Sequence, residues 1–256
     1  MTTRHSISNI WVDAVTMTDA LARVEEFLEN GNRLHTIFAS NPEKNFSVPR
    51  DPLLYESFRT ADMLIPDGIG MVLAARFLYG AKLERVPGCE LMQSICALSA
   101  KRDYPIYIYG AKEHVNKEAV QNLERAYPGI RIAGRANGYI TEEGMPALVK
   151  HINDSGARIL FLALGSPKQE QWIARYGSQL ENVRVCQCIG GTLDVLTGNV
   201  SRAPKIFCNC GLEWLYRLAS EPKRLKRQAI LPFFVLRVMA KKIEHRTRST
   251  NRIGPG

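Results

Sequence analysis

The stretch Ile159-Leu160-Phe161-Leu162-Ala163-Leu164-Gly165-Ser166-Pro167-Lys168-Gln169-Glu170 decides the fold. Its first six residues are apolar without alternation, which describes a strand buried on both faces, as in a parallel sheet covered by helices on either side. Gly165 and Pro167 punctuate the run, and a helical period begins at Lys168. The same rhythm of short apolar runs and longer helical segments extends outward in both directions. Strands are predicted at 34–39, 63–66, 106–109, 130–133, 159–164 and 183–189, and helices at 68–79, 89–101, 113–127, 142–154 and 168–180. Thr141-Glu142-Glu143-Gly144 reads as a capped helix start, and Pro128-Gly129 as a helix stop. Residues 1–200 therefore read as one open α/β domain, with a mostly parallel, Rossmann-like sheet and helices on both faces. Residues 201–256 read as a C-terminal helical appendage.

A chain of 256 residues fits one large domain with an appendage. The formal charge of +9 is not spread evenly. Residues 1–216 hold 23 Lys+Arg and 23 Asp+Glu, whereas residues 217–256 hold 11 Lys+Arg against Glu221 and Glu244. A neutral body with a cationic tail suggests an anionic partner for the tail, either lipid headgroups or nucleic acid. The six cysteines, Cys89, Cys96, Cys186, Cys188, Cys208 and Cys210, lack zinc-ribbon spacing and read as reduced thiols of a reducing cytoplasm. The N-terminus lacks the pattern of a signal peptide, and no stretch reaches the roughly 20 apolar residues of a spanning helix. The expected location is the cytoplasmic side.

Open parallel sheets bind ligands beyond the carboxyl ends of their strands. Four predicted strand-to-helix loops carry unusual chemistry: Ser40-Asn41-Pro42-Glu43, Pro66-Asp67-Gly68, Gly165 to Glu170, and Gly190-Gly191-Thr192-Leu193-Asp194. Gly190-Gly191 and Gly165-Ser166 allow close backbone approach to phosphate oxygens, or form plain tight turns. Asp67 reads either as a base toward an acceptor hydroxyl or as a helix cap, and Asp194 either as a partner for ribose hydroxyls or as a helix-start carboxylate. Gln169, Glu170 and Gln171 offer polar ligand contacts or make a solvated helix surface. Arg85 and Arg202, in Gly/Pro loops, suit a diphosphate. No dinucleotide fingerprint or P-loop is present, and His5, His35, His114, His151 and His245 have no metal-ligand spacing, so neither a cofactor nor a metal is expected.

The ordered set of loops resembles the WecG/TagA/CpsF family of glycosyltransferases. The matching pieces are the four loops above, extended upstream to Ala61-Asp62 and downstream to Gly70, together with Arg85-Val86-Pro87-Gly88-Cys89-Glu90-Leu91, Gly198 and Arg202-Ala203-Pro204. Gly211-Leu212-Glu213-Trp214-Leu215-Tyr216-Arg217-Leu218 and Glu221-Pro222 with Arg224 complete the set, which runs from about residue 36 to 228. The resemblance implies a metal-independent, inverting transfer from a UDP-sugar to a polyprenyl-diphosphate-linked saccharide in cell-surface or exopolysaccharide synthesis. The sugar would be N-acetylmannosamine, its uronic acid, glucose or a related hexose. By the same resemblance Asp67 is the base, and Ser40, Asn41, Arg85, Gly165, Ser166, Gln169, Gly190, Gly191 and Asp194 bind substrate. Two departures stand out: Ala39 occupies a position where Thr is frequent in the family, and Leu193 one where Phe is usual.

From Leu225 the tail reads as a helix with Leu231, Phe233, Phe234, Val235, Leu236, Val238 and Met239, bracketed by Lys223, Arg224, Lys226 and Arg227 and by Lys241 and Lys242. It is expected to lie on an anionic membrane surface at the inner face of the plasma membrane, the alternative being packing on the body or on a second copy in a homo-oligomer. In the family such an appendage resembles a mobile lid, and Arg217, Arg224 or Arg227 would then stabilise the departing diphosphate. Nucleic acid is the weaker partner, because Phe233 and Phe234 are not spaced for base stacking. A nucleotide-sugar sensor without catalysis is the remaining alternative.

Overall fold

A computed structural model describes residues 3–200, 204, 207, 215–216 and 229–250, with side chains to 244 in the last stretch. A hairpin not anticipated from sequence, β1 (Arg4–Ile7) and β2 (Ile10–Asp13), leads into α1 (Met17–Asn30). There follow β3 (His35–Ser40), α2 (Lys44–Ser47), α3 (Pro52–Thr60), β4 (Met63–Pro66), α4 (Ile69–Tyr79) and α5 (Gly88–Arg102). Next come β5 (Ile106–Gly110), α6 (Glu113–Ala126), β6 (Ile132–Ala136), α7 (Met145–Asp154), β7 (Ile159–Ala163) and α8 (Lys168–Tyr176). β8 (Val185–Cys188), α9 (Thr192–Leu196) and α10 (Leu231–Thr250) follow. The six main strands lie in the order β4-β3-β8-β7-β5-β6, and every pairing is parallel.

Local chemistry sets the boundaries. Thr16 and Asp19 form a capping box at α1, whose buried residues Ala20, Val24 and Leu28 recur every fourth position on one face. Asp51 accepts the Leu53 and Leu54 N–H groups ahead of α3, with Pro52 at its first position. The expected Thr141 cap is not made: a 3-10 turn, Glu142–Gly144, intervenes before α7, and the Thr141 side chain accepts no N–H of that turn. The strand expected at 130–133 lies at Ile132–Ala136, an edge strand of intermediate burial that lacks a fully apolar signature.

Each face of the sheet has its own core. One packs α3, α4, α7, α8, the hairpin and α10, through residues such as Phe58, Met71, Ile152 and Trp172. The other packs α1, α5, α6 and α9, through Val24, Ile95, Leu123 and Leu193. Cys96, Cys186 and Cys188 are buried free thiols, and burial pushes the Cys96 thiol up to about 12. Cys208 and Cys210 lie outside the described residues.

Within the appendage expected over 201–256, the described residues include α10, preceded by a turn at 229–230. It docks by Phe234 and Val238 against the α4 side of the core. Lys241 donates to the carbonyls of Ser6 and Ser8, and Lys242 to that of Leu78. Burial pushes the Lys241 ammonium below its ordinary range. Two of the lysines expected to face headgroups thus bind the body, because helical spacing carries them round to the packed side.

The hairpin is fastened by Asp13, which is 2% exposed. Its carboxylate receives Arg4 Nε at 2.7 Å and the Leu64 N–H of β4 at 2.8 Å. Replacing it leaves a buried N–H and a cation without their acceptor. Asp13→Ala should therefore lower unfolding free energy by about 2–4 kcal/mol in urea titration.

Candidate active site

The strand order places the carboxyl ends of β4, β3, β8 and β7 side by side, so the four loops singled out in the sequence form one row. After β3, β4 and β7 the chain turns to the face carrying α3, α4 and α8, but after β8 it turns to the opposite face, into α9. The paths diverge around the end of β8, and such divergence opens the crevice in which open α/β sheets take ligands. Gly165 (φ +74) and Gly190 (φ +55) both need the left-handed region, and a Cβ on either would meet nothing within 4 Å. Their requirement is backbone conformation, and the space before them is open.

Asp67 follows β4 and is half-buried. Its Oδ1 accepts the Gly88 N–H at 2.8 Å, at the first residue of α5, and its backbone N–H donates to the Ser40 carbonyl at 3.2 Å. The carboxylate therefore sits on the positive end of a 15-residue helix, where a negative charge is favoured. The cap position of α4 is Gly68, one residue on. Arg85 Nε donates to the Asp67 carbonyl at 3.1 Å, so the loop 84–87 is tied to the same strand end. Behind it, Gln187 of β8 donates from Nε2 to the Gly88 carbonyl at 2.8 Å.

A second group joins the other loops. The Lys44 ammonium, 6% exposed, donates to Ser166 Oγ and to Glu170 Oε1, and lies 5.1 Å from the centre of the Phe58 ring. Gln169 Oε1 accepts the Gly190 N–H at 3.0 Å, and its Nε2 lies 3.5 Å from Glu170 Oε1. One buried network thus links the loops after β3, β7 and β8.

These contacts refine the sequence expectations. Gln169 and Glu170 are neither solvated helix surface nor open to solvent: both are buried in the network. The Gly190 N–H is engaged by Gln169. Ser40 is fully buried and donates its hydroxyl to the Trp11 carbonyl at 2.7 Å, fastening β3 to the hairpin. Asn41 lies on the site edge, its Oδ1 accepting the Lys44 N–H at 3.3 Å. Asp194 sits in the first turn of α9 beside Gly191. Arg202, Arg217, Arg224 and Arg227 lie outside the described residues. Among the described residues no three His, Cys, Asp or Glu side chains gather as a metal site. A cavity of about 390 Å³ lined by Arg33, Thr36, Ser57, Ile173 and Ser178 sits at the opposite, amino edge of the sheet and shares no residue with this row.

Sequence reading missed Lys44 and Gln187. Each leaves a trace: a cation three residues after Asn41, and a lone amide within the apolar run Val185-Cys186-Gln187-Cys188. Neither trace names a partner. Removing one member of a buried ion pair strands the other charge. Lys44→Met should lower stability by about 3–5 kcal/mol by chemical denaturation, and Lys44→Met combined with Glu170→Leu should recover a large part of that loss.

Comparison with known proteins agrees with this geometry. A protein of Bacillus spizizenii called N-acetylglucosaminyldiphosphoundecaprenol N-acetyl-beta-D-mannosaminyltransferase is 33% identical over 223 residues, covering 87% of this chain and 86% of its own length. Residues 5–248 match the glycosyl transferase WecG/TagA/CpsF family, from the hairpin through α10. A match over nearly the whole chain makes this protein a member of the WecG/TagA/CpsF glycosyltransferase family.

Proposed function

We propose that the protein transfers a hexosyl group, with inversion, from a UDP-sugar to a saccharide carried on polyprenyl diphosphate, with Asp67 as the general base. The observation that carries this reading is the position of Asp67, half-buried at the ligand edge and held by the Gly88 N–H, two strands from the open turn at Gly190. Strand spacing makes that separation about 10 Å, the scale of a sugar and its phosphate. The acceptor hydroxyl attacks the anomeric carbon from the Asp67 side and the new glycosidic bond forms as the bond to UDP breaks. The proton passes to the Asp67 carboxylate, and the electron pair leaves with the diphosphate. An ordinary carboxylate is a weak base toward an alcohol, so the rate would come from positioning and from proton transfer during attack. The Gly190-Gly191 turn is nearest the departing charge in this reading, Arg85, tied to the Asp67 carbonyl, would contact donor or acceptor groups beside the base, and Asp194 would receive nucleoside hydroxyls. The named transferase relative, whose name gives an undecaprenyl-diphosphate acceptor, supports the lipid-linked acceptor class.

The exposed side of α10 supports a membrane-facing role at the inner face of the plasma membrane. Phe233 and Leu236 are 62% and 63% exposed, and Val235, Met239 and Ile243 lie beside them, with Leu73 and Phe77 of α4 also exposed. Among the described residues no helix is long and apolar enough to cross a membrane, so contact would be interfacial.

Incubation with a panel of UDP-sugars and a synthetic polyprenyl-diphosphate saccharide, followed by mass spectrometry of the lipid, identifies the hexose by mass gain. Asp67→Asn should reduce turnover by about 10²- to 10⁴-fold while UDP affinity stays within about twofold. Retained turnover would reject Asp67 as base, and no transfer from any donor would reject the enzymatic reading. Leu236→Asp should weaken co-sedimentation with vesicles containing anionic lipid by about tenfold or more; undiminished sedimentation removes α10 from the membrane surface.

A further inference from the structure

Gln187 is 0% exposed in the central strand β8. Side chains alternate along a strand, and its neighbours Cys186 and Cys188 belong to one core while Val185 belongs to the other. The amide therefore projects into the α5 side of the sheet. Its cross-strand partners there are Ile37 and Phe161, both fully buried. Its Nε2 donates to the Gly88 carbonyl at 2.8 Å, and its Oε1 is buried without a hydrogen-bond partner among the described residues. An amide that meets only part of its hydrogen-bonding capacity is a poor choice on stability grounds, and an apolar residue of similar volume would fit this layer at less cost. What the amide supplies is a hold on Gly88.

Gly88 also holds Asp67, through its N–H to Oδ1 at 2.8 Å. A Cβ built on Gly88 would lie 3.8 Å from Asp67 Oδ1 and 3.9 Å from Gln187 Nε2, so the carboxylate and the amide converge on the same side of that glycine. Resting on the reading of Asp67 as base, we propose that Gln187 is a positioning residue of the reaction: it fixes the first residue of α5, and through it the direction of the Asp67 carboxylate. The carboxyl group then reaches the acceptor hydroxyl from a peptide anchored to the centre of the sheet and not to a surface loop. Precision of this kind belongs to sites built on rigid elements.

The test uses Gln187→Met, which keeps volume and removes the donor, and Gln187→Glu, which donates to the Gly88 carbonyl only while protonated. In Gln187→Met, kcat should fall about 10- to 100-fold with UDP affinity within about twofold, and the same change on an Asp67→Asn background should cost less than about threefold more. In Gln187→Glu, the rate relative to the parent should rise as pH falls. A kcat unchanged by Gln187→Met, an equal loss on the Asp67→Asn background, or a relative rate of Gln187→Glu independent of pH would each overturn the proposal. If the parent transfers no sugar, the functional reading fails and the positioning contact is decided by carbon-13 NMR titration of the Asp67 carboxyl. There an upward shift of about half a unit or more in Gln187→Met supports the contact, and an unchanged titration overturns it.

Discussion

The buried ammonium of Lys44 is the constraint on which the geometry of the ligand edge depends. It reaches from the loop after β3 to Ser166 and Glu170 after β7, and Gln169, beside Glu170, holds the Gly190 turn after β8. Taking both charges of a pair out of water costs several kcal/mol per ion, and only close geometry with further hydrogen bonds offsets this. Here the Ser166 hydroxyl and the face of Phe58 supply part of the compensation, while Glu170 Oε2 has no partner among the described residues. As a source of stability the pair is therefore poor. Its consequence is geometric: three loops of different strands cannot move independently.

The other half of the edge is held differently. Asp67, Gly88 and Gln187 form a relay of two hydrogen bonds from the loop after β4, through the start of α5, to the centre of the sheet. The hairpin supports the same strands from the other face, with Trp11 accepting the Ser40 hydroxyl and Asp13 accepting the Leu64 N–H. β8 takes part in both systems, at Gln187 and at Gly190, and it is the strand after which the chain changes face. A central strand has fixed neighbours on both sides, so it transmits position better than an edge strand would.

α10 shows how one amphipathic segment answers two questions at once. Its inner residues Phe234, Val238 and Lys241 bind the body, and its outer residues Phe233, Leu236 and Ile243 face solvent. Read along the sequence, packing on the body and lying on a membrane are alternatives. Helical geometry separates the residues onto two faces, so the packed face leaves an apolar face exposed for the interfacial role proposed for it.

The sequence by itself determined the sheet and the row of loops. Short unbroken apolar runs such as 159–164, bounded by Gly and Pro, read as strands covered on both sides, and parallel strands bring every strand-to-helix loop to one edge. The loops that carry Asp67, Asn41 and the glycine turns were legible because their residue types are conspicuous after the predicted strands. What the tertiary structure alone decided is which polar side chains of the loops bond to one another. Ser40, Gln169 and Glu170 read as ligand contacts or surface, and the structure adds their bonds to Trp11, Gly190 and Lys44. Lys44 and Gln187 carried no recognisable motif, since their partners lie 126 and 99 residues away in the chain. Local patterning specifies where a strand ends, but a hydrogen bond between distant loops exists only once strand order has set them side by side.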